Sequence, residues 1–276
     1  MYPPTQWQDL GLSPEALSLI SQAWYAAPSP IQSQTIGISI SGQDLIAYSQ
    51  TGSGKTAAFV LPMVERFLGK SGTYGLILAP TREIALQIQA TVEIFGMPRG
   101  VRSIVLIGGV PLPADNVALQ SHPQIIVATP GRLCDHLERG NIWLDFIQML
   151  VLDEADRMLD MGFADQLARI HRDLPPEHQT LLFSATIAPS VERLAQKMLK
   201  NPARVAIGRP ATAVPTIEQR IYWLEPEDKM RALARVLKEE PGTVIVFTRT
   251  KDGATQIFRS LHSRGHIDVT NIHSDR

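Results

Sequence analysis

Ser49-Gln-Thr-Gly-Ser-Gly-Lys-Thr-Ala-Ala-Phe59 follows the apolar run Asp44-Leu-Ile-Ala-Tyr48 and opens an alanine-rich segment. An apolar run, a tight glycine turn and a helix-forming stretch, in that order, predict a strand, a loop and a helix start. The phosphate-loop pattern G-x-x-x-x-G-K-[ST] asks for glycine where this chain has Ser49, so the strict form fails by one residue. Gly52, Gly54, Lys55 and Thr56 nevertheless sit where backbone N–H groups and a helix N-terminus converge on an anion. In that reading the loop residues Thr51, Gly52, Ser53 and Gly54 surround a nucleotide's phosphates, Lys55 reaches the outer ones, and Thr56 holds a magnesium ion. The plain alternative is a glycine-rich turn that happens to precede a lysine, which average composition produces about once in ten thousand positions.

Outward from this stretch, short β-branched runs alternate with longer amphipathic ones. Strands are predicted at Asp44–Ala47, Tyr74–Leu78, Arg102–Ile107, Gln124–Ala128, Met149–Leu152 and Thr180–Phe183, and helices at Ala57–Leu68, Arg82–Glu93, Ala164–His171 and Ser190–Leu199. That alternation implies an α/β fold, a mostly parallel sheet covered by helices on both faces. Proline and small residues break the pattern at Asn201-Pro202 and again from Gly208 to Pro215. The expected organisation is therefore a domain over residues 1–207, a linker over 208–219, and a second unit over 220–276. In the second unit strands are expected near Ile221–Leu224, Thr243–Phe247 and Asp268–Ile272, with helices near Asp228–Glu240 and Gly253–Ser263. Three strands and two helices make a poor stand-alone α/β unit, so the second one reads as incomplete.

Bulk composition narrows the classes. At 276 residues and 44% hydrophobic content the chain can bury a sizeable core without staples. Its one cysteine, Cys134, has no internal partner, the start MYPPTQWQDL lacks the features of a secretory signal, and no apolar run reaches the roughly 18–20 residues of a membrane span. A cytoplasmic, membrane-free protein is expected. A net charge of −1 argues against a polycation that coats nucleic acid by bulk attraction, so any such contact is local. The seven histidines and the cysteine show no metal-ligand spacing.

Further chemistry is carried by Met149-Leu-Val-Leu-Asp-Glu-Ala-Asp156, an apolar strand ending in two adjacent acids. Asp153 can hold magnesium while Glu154 orients or deprotonates a water; taken alone, a solvated acidic turn explains the same residues. Co-occurrence with the phosphate loop on one sheet favours the nucleotide. In Ala79-Pro-Thr-Arg-Glu83 and Ala128-Thr-Pro-Gly-Arg132, Thr81 and Thr129 suit helix N-caps, Pro130 suits a first turn, and Arg82 and Arg132 lie near free amides. Capping alone, or a row of phosphate contacts to a polynucleotide, fits both stretches.

Ser49–Thr56, Pro80–Glu83, Thr129–Arg132, Asp153–Asp156 and Ser184-Ala-Thr186, together with Trp24-Tyr-Ala-Ala-Pro-Ser-Pro-Ile-Gln32 upstream, resemble in type and order the motifs of the DEAD-box family of ATP-dependent RNA helicases. The resemblance implies a RecA-like P-loop domain followed by the start of a second one, ATP and Mg2+ as cofactors, and single-stranded RNA as partner. It implies that Gln32 hydrogen-bonds the adenine edge, that Tyr25 stacks on its face with Trp7 in support, and that Asp156, Ser184 and Thr186 couple nucleotide state to domain closure. Ordinary core packing is the bland reading of Trp7 and Tyr25, and a capped turn that of Ser184-Ala-Thr186. By the same resemblance Pro80, Thr81, Arg82, Gly109, Thr129, Gly131 and Arg132 hold one RNA strand by its backbone, and Phe247–Lys251 and His273-Ser-Asp275 match motifs of the second domain.

The chain departs from the family pattern at Ser49 for alanine, Trp24 for glycine, Ser29 for threonine, Ile84 for leucine and Ser274 for glycine. The arginines that complete the family's ATP site from the second domain are expected beyond Arg276; an arginine finger is worth about 10³–10⁵ in kcat. The resemblance therefore implies an RNA-stimulated ATPase that unwinds duplexes locally, with weak turnover by this chain alone. The alternative is a shortened module that holds ATP or RNA without productive turnover. A DNA helicase or translocase fits the Gln32 stretch and the Asp-Glu-Ala-Asp quartet poorly.

Overall fold

The computed structural model describes residues 6–208, 218, 220–240, 242–263 and 268–273. The chain divides into two compact units, Met1–Ala213 and Val214–Arg276.

Helices α1 (Pro14–Gln22) and α2 (Pro30–Ser41) precede the first strand, each with proline in its first turn, where a missing N–H costs nothing. Strict alternation follows: β1 (Leu45–Tyr48), α3 (Lys55–Phe67), β2 (Gly75–Leu78), α4 (Arg82–Gly96), β3 (Ser103–Leu106), α5 (Leu112–Leu119), β4 (Ile125–Ala128), α6 (Pro130–Glu138) and β5 (Met149–Leu152). Then come α7 (Ala155–Asp160), α8 (Ala164–Arg172), β6 (Gln179–Ser184), α9 (Pro189–Met198) and β7 (Ala203–Ala206). The seven strands form one sheet in the order β3-β4-β2-β5-β6-β1-β7, and every pair is parallel.

Side chains alternate across the pleat, so one residue set meets each helical layer. Leu45, Ala47, Ile77, Val127, Val151, Leu181 and Phe183 join a core with residues of α1–α4. Ile46, Tyr48, Leu76, Leu78, Ile126, Leu150, Leu152 and Leu182 join a second core with α6–α9. Strands buried on both faces explain why the sequence showed continuous apolar runs rather than alternation.

The six expected strands of the first unit are all present, with boundaries shifted by at most one residue; of the expected helices, α3 starts two residues earlier and α4 ends three residues later. A seventh strand lies where only a break was expected. Ala203–Ala206 holds one β-branched residue and sits at the sheet edge beyond β1, so it lacks the apolar signature of its neighbours.

The second unit departs from expectation. Helices α10 (Lys229–Glu239) and α11 (Lys251–His262) match the amphipathic stretches. The segments expected as strands, Ile221–Leu224, Thr243–Phe247 and Asp268–Ile272, form no strand among the described residues. A strand exists through its ladder, and among the described residues these apolar segments have no paired neighbour; Ile221, Trp223, Ile245 and Phe247 are exposed. Most of the expected linker, 209–217 and 219, and Ser274-Asp275 lie outside the described residues. Among the described residues no helix is long and apolar enough to cross a membrane.

Candidate functional site

Because all seven strands run the same way, the loops that follow them emerge at one edge of the sheet, in strand order. The loops after β5, β6 and β1 carry Asp153–Asp156, Ser184–Thr186 and Ser49–Thr56, on three adjacent strands. Those after β3, β4 and β2 carry Gly108-Gly109, Thr129–Arg132 and Pro80–Arg82, again on adjacent strands. Two groups of expected residues thus stand side by side at the carboxyl edge, the usual ligand-binding edge of such sheets.

In the first group, Gly54 is the N-cap of α3 with φ +92°, and Gly52 has φ +81°. A Cβ on Gly54 would lie 2.6 Å from the Gln32 amide nitrogen, so glycine is required both by conformation and by space. The Gln32 Nε2 donates to the Gly54 carbonyl (3.0 Å) and its Oε1 accepts from Ser29 N–H (2.7 Å). One amide proton and one lone pair remain for a ligand. Lys55 is buried and donates to the Ser49 carbonyl at 3.0 Å, a bond that closes the loop and leaves two ammonium protons. Ser49 and Ser53 hydroxyls bond at 2.8 Å, so serine at the position where the strict pattern has glycine contributes a cross-link within the loop. Thr51 lies in the loop and Thr56 in the first turn of α3.

Across from the loop, Asp153 is buried at the end of β5 and accepts from Glu154 N–H at 3.0 Å. Burial pushes its carboxyl up to about 6, against the pull of Lys55 and with the Glu154 charge reinforcing it. Glu154 has φ +50°, a left-handed conformation unusual for a non-glycine residue, and its carboxylate pairs with Arg157 at 3.2 Å. Asp156 accepts from the Thr186 hydroxyl at 3.0 Å, and Ser184 exchanges bonds with the backbone of Thr186. The structure therefore brings together the acid quartet and the Ser184–Thr186 turn.

Tyr25 is partly buried, edge-on to Trp7 (6.2 Å) and to Phe95 (5.8 Å), and its carbonyl accepts from the Trp7 indole at 3.1 Å. Trp7 is a core residue. Trp24 adopts φ +62°, the left-handed region that favours glycine, and is almost wholly exposed.

In the second group Thr81 caps α4 by accepting from Ile84 N–H (3.4 Å), and Pro80 is buried. Thr129 occupies the N-cap of α6, but its hydroxyl makes no cap bond. Arg82 is exposed and lies across the Gly108-Gly109 turn: a Cβ on Gly109 would come within 2.4 Å of its Nη1. Gly131, in the first turn of α6, has open space around its Cα.

Arg132 differs from Arg82. Its guanidinium is buried and turned inward, donating from Nε to Asp115 (2.8 Å) and from Nη2 to the Val110 carbonyl (2.5 Å). The same Asp115 oxygen accepts from His136 Nε2 (2.9 Å), whose Nδ1 meets Asn141 Nδ2 at 3.2 Å. This buried cluster ties the turn after Gly109 to the turn after Thr129. Sequence reasoning missed Asp115 and His136, because a lone acid in a short helix and a histidine on a helix face carry no spacing signal.

Two outcomes follow from the buried acids. The folded Asp153 carboxyl keeps its proton to about pH 6 and an unfolded one releases it near 3.8, so the folded state binds more protons between those values and stability falls as pH rises through them. Asp153→Asn is expected to raise stability by on the order of 2 kcal/mol at pH 7 and to lose that gain below about pH 4; urea unfolding at the two pH values checks this, and an equal effect at both would contradict it. Asp115→Ala leaves a buried guanidinium without its carboxylate and is expected to cost about 3–5 kcal/mol in the same assay, with Asp115→Asn milder because one acceptor survives.

The geometry agrees with comparisons to known proteins. A family model described as DEAD/DEAH box helicase matches residues 29–194. The DEAD-box ATP-dependent RNA helicase CshA of Geobacillus kaustophilus is 39% identical over 275 residues, which cover 98% of this chain and 58% of that protein. The ATP-dependent RNA helicase CshA of Listeria monocytogenes is 37% identical over 273 residues, 98% of this chain and 52% of that protein. The DEAD-box ATP-dependent RNA helicase RhpA of Helicobacter pylori is 38% identical over 275 residues, 99% and 56% respectively. The chain thus spans between half and three-fifths of the length of these relatives. With a family model across 166 residues and a RecA-like parallel sheet presenting the matching loops on one edge, the chain belongs to the DEAD/DEAH box helicase family.

Proposed function

We propose that this chain binds ATP with Mg2+ through the loops after β1, β5 and β6, binds one RNA strand by its backbone through the loops after β2, β3 and β4, and serves an ATP-dependent RNA helicase. The observation that carries the reading is the partition of the carboxyl edge into two adjacent groups of loops.

Lys55 supplies two free ammonium protons to the outer phosphates, and the backbone from Thr51 to Gly54, with Ser53, surrounds the inner ones. The donor set Thr56 hydroxyl and Asp153 carboxylate is hard oxygen, which suits magnesium with its remaining positions filled by water and phosphate. The buried Asp153 carboxyl, pushed up to about 6, is a charge that a cation would relieve, so the residues fit the ion. Magnesium, when bound, neutralises charge on the phosphates. Glu154 orients the attacking water and accepts its proton. Gln32 offers its remaining proton and lone pair to the adenine edge, and Tyr25 its ring face. Asp156, Thr186 and Ser184, already hydrogen-bonded together, transmit nucleotide state.

On the RNA side Arg82 is the exposed cation, Thr81, Thr129, Gly109 and Gly131 offer backbone and hydroxyl groups, and Pro80 shapes the turn. Arg132 acts from behind, holding the Gly109 and Thr129 turns in register. In the same proposal residues 1–207 form the ATP-binding domain, 208–219 a linker, and 220–276 the start of a second RecA-like domain. A single buried cysteine suits a cytoplasmic setting.

Fluorescent ATP-analogue binding and RNA anisotropy test the division of labour. Lys55→Ala is expected to weaken nucleotide binding about ten- to a hundredfold, the loss of one charge-assisted contact, with RNA affinity measured without nucleotide unchanged. Arg82→Ala is expected to weaken RNA binding, lower the salt slope of log affinity by about 0.7, and leave nucleotide affinity intact. Unchanged nucleotide binding by Lys55→Ala would overturn the assignment.

A further inference from the structure

The opposite edge of the sheet holds a feature that neither the nucleotide nor the RNA reading uses. His171 lies in the last turn of α8 and His178 immediately before β6, and the Pro175-Pro176 turn between them folds one ring against the other. The ring centroids are 5.8 Å apart with planes at 70°. Both rings line a cavity of about 250 Å³, which Asp44 and the end of α9 close.

Each ring has one buried nitrogen without a partner, Nδ1 of His171 and Nε2 of His178. Buried polar atoms are rarely left so, and each such atom calls for a water, an ion or a ligand. The opposite nitrogen of His178 fixes what its orphan can do. Nδ1 of His178 lies 2.6 Å from the Pro175 carbonyl, which can only accept, so that nitrogen carries the proton and Nε2 carries a lone pair. A neutral His171 ring presents a lone pair at Nδ1 when its proton rests on Nε2.

Two imidazole nitrogens free to face one ion, one of them on a ring whose other nitrogen donates to a backbone carbonyl, follow the outer-shell pattern of metal-ligating histidines. Imidazoles that share one ion at bond lengths of about 2.0 Å have centroids about 5–6 Å apart, which the observed spacing matches. The surrounding charges are mixed. Asp44 contributes a carboxylate, although both its oxygens accept backbone N–H groups from Thr180 and Lys200. The Lys200 ammonium is drawn outward to the Pro176 carbonyl (2.7 Å) and towards Glu177 (3.8 Å). Lys197 at the rim opposes a cation and keeps affinity modest.

We propose that His171 and His178 form a binding site for one divalent transition-metal ion of the zinc class, completed by water, at the amino edge of the sheet. The six-residue strand β6 separates it from the Ser184–Thr186 turn, about 20 Å away, so it is distinct from the magnesium site. Among the described residues no group of three or more His, Cys, Asp or Glu side chains is placed to hold a metal, so a two-histidine site leaves positions open to solvent. A bound ion would staple the end of α8 to the turn that enters β6.

The test is zinc chloride titrated calorimetrically into the chelator-stripped chain without nucleotide. One ion is expected to bind per chain, His171→Ala and His178→Ala are each expected to weaken it at least about tenfold, and Asp153→Asn is expected to bind zinc like the parent, which separates this site from the phosphate loop. Long-range ¹H–¹⁵N spectra of the unmutated chain supply a readout independent of variant folding: zinc is expected to shift His171 Nδ1 and His178 Nε2 while His171 Nε2 and His178 Nδ1 stay protonated. Unshifted ring nitrogens at saturating zinc, or zinc binding by both histidine variants equal to the parent's, would overturn the proposal and leave a water bridging the two rings.

Discussion

Parallel pairing of every strand is the constraint on which the rest of the molecule depends. A parallel ladder cannot be joined by hairpins, so each connection must cross over a face, and the crossovers supply the helices that bury both sides of the sheet. The same geometry sends every strand end to one edge. A glycine loop, a pair of acids, a hydroxyl turn and three backbone-rich turns, scattered from Ser49 to Thr186 in sequence, become neighbours because their strands are neighbours. Strand order, β3-β4-β2 then β5-β6-β1, sorts them into two groups without any residue in one group being needed to place the other.

Within that frame the site is held by buried charges, and each has a different compensation. Lys55 closes its own loop on the Ser49 carbonyl. Asp153 receives one backbone N–H and the distant influence of Lys55, which is too little to offset its desolvation, and its proton affinity rises. Asp115 receives the Arg132 guanidinium and the His136 imidazole, and is used as a brace. An under-compensated acid is poised to take a cation, whereas a fully compensated one holds structure. Asp44 belongs to the second kind: its two oxygens accept the Thr180 and Lys200 N–H groups and fasten the start of β1 to the strand beside it.

What the sequence made legible is what has a local signature. The glycine loop, the apolar runs of β1 to β6 and the acids at the end of β5 are each written in consecutive residues, and the structure places them as read. The edge strand β7 was missed because an edge strand with one β-branched residue does not need an apolar run. Runs near Thr243 and Ile221 had the composition of strands but not the partners, which composition cannot report. Arg132 and Arg82 occupy similar positions after adjacent strands; only the tertiary neighbour Asp115 decides that one turns in and the other stays out. Likewise His171 and His178, seven residues apart, match no ligand spacing, and a proline turn brings them together.

The partition of the carboxyl edge is tested most directly by hydrogen exchange of the chain with a non-hydrolysable ATP analogue alone and with single-stranded RNA alone. The account predicts that the nucleotide protects residues 49–56, 153–156 and 184–186 while RNA protects residues 80–82, 108–109 and 129–132. Protection of the same loops by both ligands, or RNA protection confined to the loops after β1, β5 and β6, would contradict it.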